Sequence, residues 1–390
     1  MKKTWDVIVI GGGIIGLSCA YYLTQEGKTV LLLEKNDIGE GASTSCDAMI
    51  FLQSKKPGVL LTIAMASLDI YKKLATDLPV DIEFENRGGM VLIETPGHLT
   101  HMKDFVQQQK ALGLCVELLD AAEAKAHAPM ISPHVLASTY SAMDSQVNPL
   151  SVMRGWMKVA ASHGLTVRRH CGVKALESPA PYHWQVSTED GQRFESECVV
   201  NAAGAWAPEI GAMTGLSLPI KPKRGQILVT EKVPSFGKTN FWGADYIVMK
   251  LNPDFAKERD PLLNQLGVGL SMSQSRSGTY LLGGTREYEG FDKGVSRLAM
   301  GLILREAVRL FPTLAHVHII RSFAGFRPAP DDGKPFIGPV REQPGLYIAA
   351  GHEGDGIALA PVTGDAISRM IRRVPLPWDM SELSPARLTI

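Results

Sequence analysis

Apolar β-branched runs and helical patterns alternate from the start of the chain. Residues 6–10 predict a strand, residues 14–22 a helix, and residues 30–33 a second strand that runs into Glu34. Helical spacing recurs at 60–78, 99–112, 149–162, 298–310 and 356–372. Strand patterns separate these helices at 88–94, 165–169, 198–201, 226–231, 279–284 and 346–350, and residues 173–197 alternate as in a small antiparallel meander.

Three of the apolar strands run directly into glycine-containing turns. They lie at the beginning, middle and end of the chain, before Gly11, Gly204 and Gly351. Ligands of open α/β sheets bind at the carboxyl ends of such strands. We therefore predict a Rossmann-like α/β domain built from three segments, 1–85, 142–215 and 320–390. The segments between them, 86–141 and 216–319, would form a second domain around an antiparallel sheet.

Composition supports a globular protein of this size. Of the 390 residues, 45% are hydrophobic and 21% are charged, which allows two domains with sizeable cores. The 40 basic and 40 acidic residues cancel, so charge does not favour nucleic acid or an anionic membrane surface as a partner.

The five cysteines are scattered and form no C-x-x-C pair, so the sequence predicts no metal site and no disulfide framework. That pattern suits a reducing cytoplasm. The first strand begins almost at Met1, which leaves no room for a signal peptide, and no apolar run approaches the ~20 residues of a membrane span.

The first turn reads G-x-G-x-x-G from Gly11 to Gly16, between a strand and a helix. Gly11 permits the tight turn, Gly13 lets backbone N–H groups approach a pyrophosphate, and Gly16 lets helix and strand pack closely. The helix N-terminus favours the negative phosphates. Glu34 can accept hydrogen bonds from an adenosine ribose and would repel a 2′-phosphate. The unit therefore predicts a dinucleotide site.

Motifs along the whole chain resemble the D-amino-acid oxidase superfamily, in its glycine oxidase and sarcosine oxidase branch. The matching stretches are collinear and comprise 11–16 with Glu34, 41–45, 199–206, 224–226, 325–328, 332–335 and 350–364. Residues 51–57 and 283–288 are similar, more narrowly, to bacterial dehydrogenase subunits for D-hydroxyproline and opines and to hydrogen cyanide synthase flavoprotein subunits.

The resemblance implies FAD as the cofactor. Relatives that attach FAD covalently use a cysteine near the 325–328 segment, and residues 199–390 contain none, so we expect non-covalent FAD. Besides the glycine turn and Glu34, the resemblance assigns further contacts to FAD: Ile14, Ile15, Lys35, Ser43, Thr44, Ala48, Met49, Val173, Gly204, Trp206, Gly351, His352, Glu353, Gly354, Asp355, Gly356 and Ile357. In the last loop we expect backbone N–H groups, rather than acid–base chemistry by a side chain, to face the flavin.

Three side chains are candidates for the substrate site. Arg327 matches the family arginine that binds the substrate carboxylate, a role that suits a planar guanidinium. Tyr246 matches a tyrosine beside the substrate, and Arg286 could hold a second carboxylate, such as an opine carries. The alternatives are a surface ion pair for Arg327, a strand aromatic in the core for Tyr246 and a solvated strand end for Arg286.

The predicted function is an FAD-dependent oxidoreductase that oxidises the carbon–nitrogen bond of a small amino or imino acid. Sarcosine oxidases place an oxygen-activating lysine near a position that reads Leu281 or Leu282 here. This favours an electron acceptor other than oxygen, possessed by partner subunits if the narrower resemblance holds. Two alternatives remain open: a stand-alone oxidase of the glycine or sarcosine type that makes peroxide, and a flavin-binding relay subunit without its own substrate.

Overall fold

The computed structural model describes residues 4–251 and 259–388, without the side chains of Lys250 and Leu251. The strands are β1 Thr4–Ile10, β2 Val30–Leu33, β3 Met49–Ile50, β4 Gly89–Ile93, β5 Glu117–Asp120, β6 Ala137–Ser141, β7 Ser145–Gln146, β8 Leu165–Arg168, β9 Val173–Ala180, β10 His183–Thr188, β11 Arg193–Asn201, β12 Ile220–Lys232, β13 Asn240–Gly243, β14 Ser271–Gln274, β15 Thr279–Gly283, β16 Ile319–Pro330, β17 Phe336–Pro339 and β18 Leu346–Ala350. The helices are α1 Ile14–Gln25, α2 Val59–Asp77, α3 Pro96–Ala111, α4 Ala121–His127, α5 Pro149–Ala161, α6 Ala207–Ala212, α7 Ala244–Leu251, α8 Pro261–Gln265, α9 Arg297–Leu310 and α10 Gly356–Ile371.

The first sheet is the nucleotide-binding type of sheet that the glycine-terminated strands predict. Its strand order is β17-β18-β11-β1-β2-β8, with β10 and β9 added beside β11. The pairs from β18 through β11, β1 and β2 to β8 are parallel, and β17, β10 and β9 join antiparallel. Its strands come from three separated parts of the chain, so the predicted fold class is confirmed.

Burial on both faces explains why these strands are continuously apolar. In β1, Val7 and Val9 pack into one hydrophobic cluster, while Ile8 and Ile10 pack into another on the opposite face. Successive side chains of a strand point to opposite faces, so a sheet covered on both sides needs apolar residues at every position. The first cluster also contains α1, α2, α5 and α10.

The second sheet has the order β16-β12-β15-β14-β13-β4-β6-β5. All its pairs are antiparallel except β13 with β4. Its longest pair joins β12 to β16, with Lys223 opposite Arg327 and Gly225 opposite Gly325. Helix α9 covers one face of the sheet and buries Leu302, Ile303 and Leu310 in its core.

One alternative is excluded and one local expectation needs correction. Tyr246 lies on helix α7, so it is not a strand aromatic, and Ile247 and Val248 of the same helix are buried. The meander at 173–197 and the strand at 198–201 share one continuous strand, β11, which pairs with β10 along its first half and with β18 along its second.

The exact domain limits stay a prediction. Strand β16 pairs within the second sheet, although most of it follows residue 320. Residues 1–3, 252–258 and 389–390, which the limits include, lie outside the described residues. None of the described helices combines the length and the apolar character that crossing a bilayer requires.

Candidate FAD and substrate site

A cavity of about 510 Å³ opens where the first sheet's parallel strands end and faces the second sheet. Its walls include the turns after β1, β2 and β11 and the end of β18, together with residues of β12, β14, β15, β16 and α7. The three segments that the sequence linked by their glycine turns therefore meet at one cavity, at the edge where α/β sheets bind ligands.

The glycine turn after β1 is shaped by close backbone contacts. Gly11 has a φ of 110°, and a Cβ there would lie 2.6 Å from the carbonyl oxygen of Ala202. A Cβ on Gly16 would collide with the carbonyl oxygen of Gly11, so α1 can approach the turn only without a side chain there. These features fit a dinucleotide, whose pyrophosphate needs backbone N–H groups and the positive end of a helix close by.

Polar contacts fix the neighbouring acid and loop. The Glu34 carboxylate accepts hydrogen bonds from the backbone N–H groups of Gly12 and Asn36, each at 2.7 Å. This holds the carboxylate at the cavity wall beside the glycine turn. The backbone N–H of Ile14 donates to Ser43 Oγ at 2.9 Å, which ties the loop at 42–48 to the start of α1.

The cavity brings together most residues assigned to FAD. It is lined by Gly11, Gly13, Ile14, Ile15, Glu34, Lys35, Ser43, Val173, Gly204, Trp206, His352, Glu353, Gly354, Gly356 and Ile357. It is not lined by Gly16, Thr44, Ala48, Met49, Gly351 or Asp355. Thr44 and Ala48 line a second cavity, of about 320 Å³, and Met49 packs in an apolar cluster with Phe51 and Trp242.

The two cavities meet at the loop 43–47. Both are lined by Ser43, Cys46 and Asp47. Of the two leucines at the expected lysine position, Leu281 lines the second cavity and Leu282 is buried in the core of the second sheet.

His352 is buried and neutral. Burial lowers its pKa to about 4, against a smaller opposing effect of the Asp355 carboxylate. Its Nε2 lies 3.0 Å from the Thr363 hydroxyl, whose own proton goes to the carbonyl oxygen of Leu359. Nε2 therefore carries the proton and donates it to Thr363, which leaves Nδ1 as an acceptor.

The acidic side chains of the same loop are held in ion pairs. Glu353 pairs with Lys223 at 3.3 Å, and its carboxylate accepts the backbone N–H of Gly354. Asp355 pairs with Lys55 at 2.7 Å, and Lys55 also donates to the carbonyl oxygen of Phe51 at 2.7 Å. Lys55 is only 2% exposed, so the stretch 51–57 is joined to the 351–357 loop through a buried charge pair.

Arg327 reaches the cavity from β16. Its Nη1 donates to the carbonyl oxygen of Thr285 at 2.8 Å, and its side chain passes over Gly225. Arg327 makes no ion pair within 4 Å among the residues that the structure describes, and it shares the cavity with the glycine turn and with Tyr246. The surface ion pair is therefore not its role.

Arg286 lies behind Tyr246 and does not line the cavity. Its guanidinium sits 3.7 Å from the centre of the Tyr246 ring. Burial lowers the pKa of Arg286, but Tyr246, Glu353 and Asp355 raise it by more, so the group stays charged. Arg286 is thus half-buried and not at a solvated strand end, and its role towards a substrate stays a prediction.

Helix α7, which carries Tyr246, is held by charged groups. Asp245 pairs with Arg259 at 2.6 Å, and the nearly buried Glu306 of α9 lies 3.8 Å from the same guanidinium. Burial and the nearby Asp245 carboxylate raise the pKa of Glu306 to about 6, against the lowering effect of the arginines.

Three cavity features escaped the sequence analysis. Asp47 lines both cavities, and burial raises its pKa although Ser271 and Arg327 favour its charge. Cys46 also lines both, and burial raises the pKa of its thiol to about 12. Gly225 and Gly325 line the wall where β12 and β16 pair. Gly225 and Gly325 belong to stretches that resemble the family, but no local pattern reveals the role of any of these residues, because each role depends on a partner distant in the sequence.

The described residues offer no set of metal ligands. Within residues 4–251 and 259–388, no group of three His, Cys, Asp or Glu side chains could hold a metal ion. The chemistry available at the cavity is that of a bound dinucleotide together with Arg327, Tyr246 and the backbone of 351–357.

The fold and cavity define a dinucleotide-dependent oxidoreductase with a separate substrate-side sheet. Residues 6–370 match the model of the DAO family, FAD dependent oxidoreductase. The chain belongs to this family, and its cofactor is FAD.

Individual relatives span nearly the whole chain. It is 29% identical over 396 residues to glycine oxidase of Geobacillus kaustophilus, covering 99% of this chain and 98% of that protein. It is 26% identical over 428 residues to hydrogen cyanide synthase subunit HcnC of Pseudomonas aeruginosa, covering 99% and 97%. The crystal structure of the Geobacillus kaustophilus glycine oxidase superposes with a TM-score of 0.88 at 25% identity, covering 99% of this chain and all of that one.

Proposed function

We propose that this chain oxidises the carbon–nitrogen bond of a small amino or imino acid. The observation that carries the proposal is that Arg327 opens into the same cavity as the glycine turn and forms no ion pair within 4 Å among the described residues. A half-buried cation that forms no ion pair favours an anionic ligand, and a guanidinium fits a carboxylate in two parallel hydrogen bonds. Glycine oxidase, the activity named for one relative, has such a substrate.

Positioning would account for much of the catalysis. When bound, FAD supplies the electron acceptor for a hydride from the substrate carbon. Arg327 would fix the carboxylate, and the Tyr246 hydroxyl would contact the substrate beside it, so that the reacting carbon is held in one orientation. Arg286 would support the Tyr246 ring from behind, since it does not line the cavity. The amine must be neutral to lose hydride, and the imine product then hydrolyses or leaves.

The substrate class can be tested by anaerobic mixing. The yellow holoprotein is mixed with D-amino acids, L-amino acids, sarcosine, hydroxyprolines and opines, and the oxidised-flavin absorbance is followed. We expect at least one of these carboxylates to bleach the band. If none does, while a chemical reductant bleaches it, the chain is a relay subunit without its own substrate.

We infer that the preferred electron acceptor is not oxygen. Leu281 supplies no positive charge at the second cavity, and a fixed cation beside the flavin would stabilise superoxide as it forms. Two arginines also line that cavity: Arg276 is paired with Asp81 and Glu85, and Arg321 is exposed. After anaerobic reduction by substrate, reoxidation should be fast with a phenazine dye and slow with air. Equal rates with stoichiometric peroxide would favour the stand-alone oxidase.

We further propose a cytoplasmic enzyme that can associate with partner subunits. The five cysteines are all free, which suits a reducing compartment. One relative is named as a subunit of hydrogen cyanide synthase, which motivates the search for partners. Cell fractionation should recover the chain with cytoplasmic markers, and co-purification from its native cells should reveal any subunit that receives electrons.

A further inference from the structure

Gly225 lies under the guanidinium of Arg327. The two residues lie on the paired strands β12 and β16 and are diagonal neighbours. Arg327 is directly opposite Lys223, and Gly225 is directly opposite Gly325. A Cβ at position 225 would lie 2.7 Å from both Cζ and Nη2 of Arg327, and closer still to Nη1. Non-bonded carbon contacts have their optimum near ~3.5–4.0 Å, so a Cβ at position 225 would displace the guanidinium, which is the flexible end of the Arg327 side chain.

Glycine at position 225 is favoured by the close approach of the guanidinium and not by the backbone conformation. Gly225 is in the middle of β12 and is absent from the set of residues with positive φ. An L-residue could therefore adopt its backbone angles without strain. The three atoms nearest to a Cβ at position 225 all belong to the Arg327 guanidinium.

The neighbours of Gly225 hold the carbonyl group to which Arg327 donates. Arg224 and Glu287 exchange two backbone hydrogen bonds, of 2.7 and 3.0 Å, and their side chains form an ion pair of 2.6 Å that is over 90% buried. The Glu287 carboxylate also accepts from Gln226 Nε2 at 2.7 Å and from Thr285 Oγ1 at 2.6 Å. This network fixes Thr285, whose carbonyl oxygen accepts from Arg327 Nη1.

We propose that Gly225 is a positioning residue that sets the plane of the Arg327 guanidinium for carboxylate binding. The flat contact with the Gly225 backbone and the bond to Thr285 use one face and one N–H of Arg327, and the remaining donors stay available to a ligand in the cavity. The proposal rests on the proposed role of Arg327 as the carboxylate site. Arg224 and Gln226, on either side of the glycine, bind Glu287 and so hold Thr285, whose carbonyl oxygen accepts from Arg327.

The test is a double-mutant cycle with Gly225→Ala and Arg327→Leu in the holoprotein. Acetate binding is measured by perturbation of the flavin spectrum, and kcat and KM are measured on the best substrate. A displacement of a positioning group by ~1 Å can cost ~100-fold. We expect Gly225→Ala to weaken acetate binding and raise KM by about tenfold to hundredfold, with a smaller change in kcat. In the Arg327→Leu background, adding Gly225→Ala should leave acetate binding, KM and kcat unchanged.

Gly301→Ala is the matched control. Gly301 lies on α9, far from any atom that a Cβ would meet, so its substitution should leave acetate binding, KM and FAD content unchanged. If Gly225→Ala lowers the melting temperature, the double variant should recover that loss, because removing the guanidinium frees the space.

The outcomes separate the two proposals. Acetate affinity within twofold of wild type in Gly225→Ala would overturn the positioning role, as would an equal loss in both backgrounds or an unfolding defect that Arg327→Leu does not relieve. Acetate binding unchanged in Arg327→Leu alone would instead overturn the proposed carboxylate site, and the role of Gly225 with it.

Discussion

At the scale of single residues, Arg327 carries the proposed substrate recognition. Arg327→Leu removes the guanidinium but keeps an apolar side chain that the wall of the cavity can accommodate. Losing a buried, charge-assisted pair costs ~2–5 kcal/mol, so kcat/KM should fall by roughly 30-fold to several thousandfold. FAD content should stay nearly unchanged, because the glycine turn and Glu34 lie elsewhere on the cavity wall.

Arg193→Leu, on the exposed part of β11, is the control for replacing any arginine. It should leave kcat/KM within about twofold, as is usual for surface substitutions. A loss of less than threefold in Arg327→Leu would mean that another group binds the carboxylate.

His352 gives a pH dependence whose sign follows from its burial. Its pKa is near 6.5 when unfolded and about 4 when folded, so only the unfolded chain takes up a proton between these values. The His352 contribution to stability is full above pH 6.5 and is lost as pH falls towards 4. Between pH 7.5 and 5, wild type should lose about 2 kcal/mol more than His352→Gln, whose amide can still donate to Thr363. Urea unfolding of both proteins at the two pH values checks this, and parallel losses would show that His352 does not titrate this way.

Residues that could be predicted from the sequence differ from the others in how far away their partners lie in the chain. The glycine turn, Glu34 and Arg327 were predictable, because each belongs to a local pattern whose chemistry is readable within a few positions. The roles of Asp47 and of Gly225, which lies in the matching stretch 224–226, were not predictable, since they depend on Ser271 and Arg327, which are more than 100 residues away in the chain. The substrate role of Arg286 stays a prediction, and its position at a strand end in the sequence does not reveal that its side chain stacks on Tyr246.

At the scale of elements, the buried pair of Lys55 and Asp355 joins the 51–57 stretch to the loop before α10. Lys55→Met should lower the free energy of unfolding by about 3–5 kcal/mol, because it removes the counter-charge of a mostly buried carboxylate. Lys56→Met changes the adjacent, exposed lysine and should cost less than about 0.5 kcal/mol.

Adding Asp355→Asn to Lys55→Met should restore part of the loss, since the two residues are in direct contact. Chemical denaturation of the four proteins measures these differences. Equal stability of the Lys55 and Lys56 variants would contradict the buried pair.

Element boundaries were mostly predictable, because apolar periodicity is a local property. The helix expected over 149–162 is observed as Pro149–Ala161, and the strand expected over 346–350 is observed as Leu346–Ala350. The strand alternative for Tyr246 was open because a run of four apolar or aromatic residues, 246–249, fits either a strand or a helix. In the structure this run is helical and packs in a cluster with Phe105 and Trp242.

At the scale of the whole molecule, segments that are far apart in the sequence line one cavity. The two cysteines that line it, Cys46 and Cys171, both have raised thiol pKa values because of burial. A protonated thiol is a poor nucleophile, so we expect FAD to stay non-covalent. Acid precipitation should leave the yellow colour in the supernatant. Colour retained in the pellet would contradict this, and Cys46→Ser and Cys171→Ser would then identify the attachment site.

Carboxylate recognition by Arg327 is tested most directly by one anaerobic comparison with the holoprotein. The best amino or imino acid substrate and its methyl ester are mixed separately with the enzyme, and the rate of flavin bleaching is measured for each. The two differ in the charge that Arg327 would bind. The account predicts that the free acid bleaches the flavin at least ~30-fold more efficiently than the ester, as expected for losing a buried charge pair. Equal bleaching by acid and ester would contradict carboxylate recognition in this cavity.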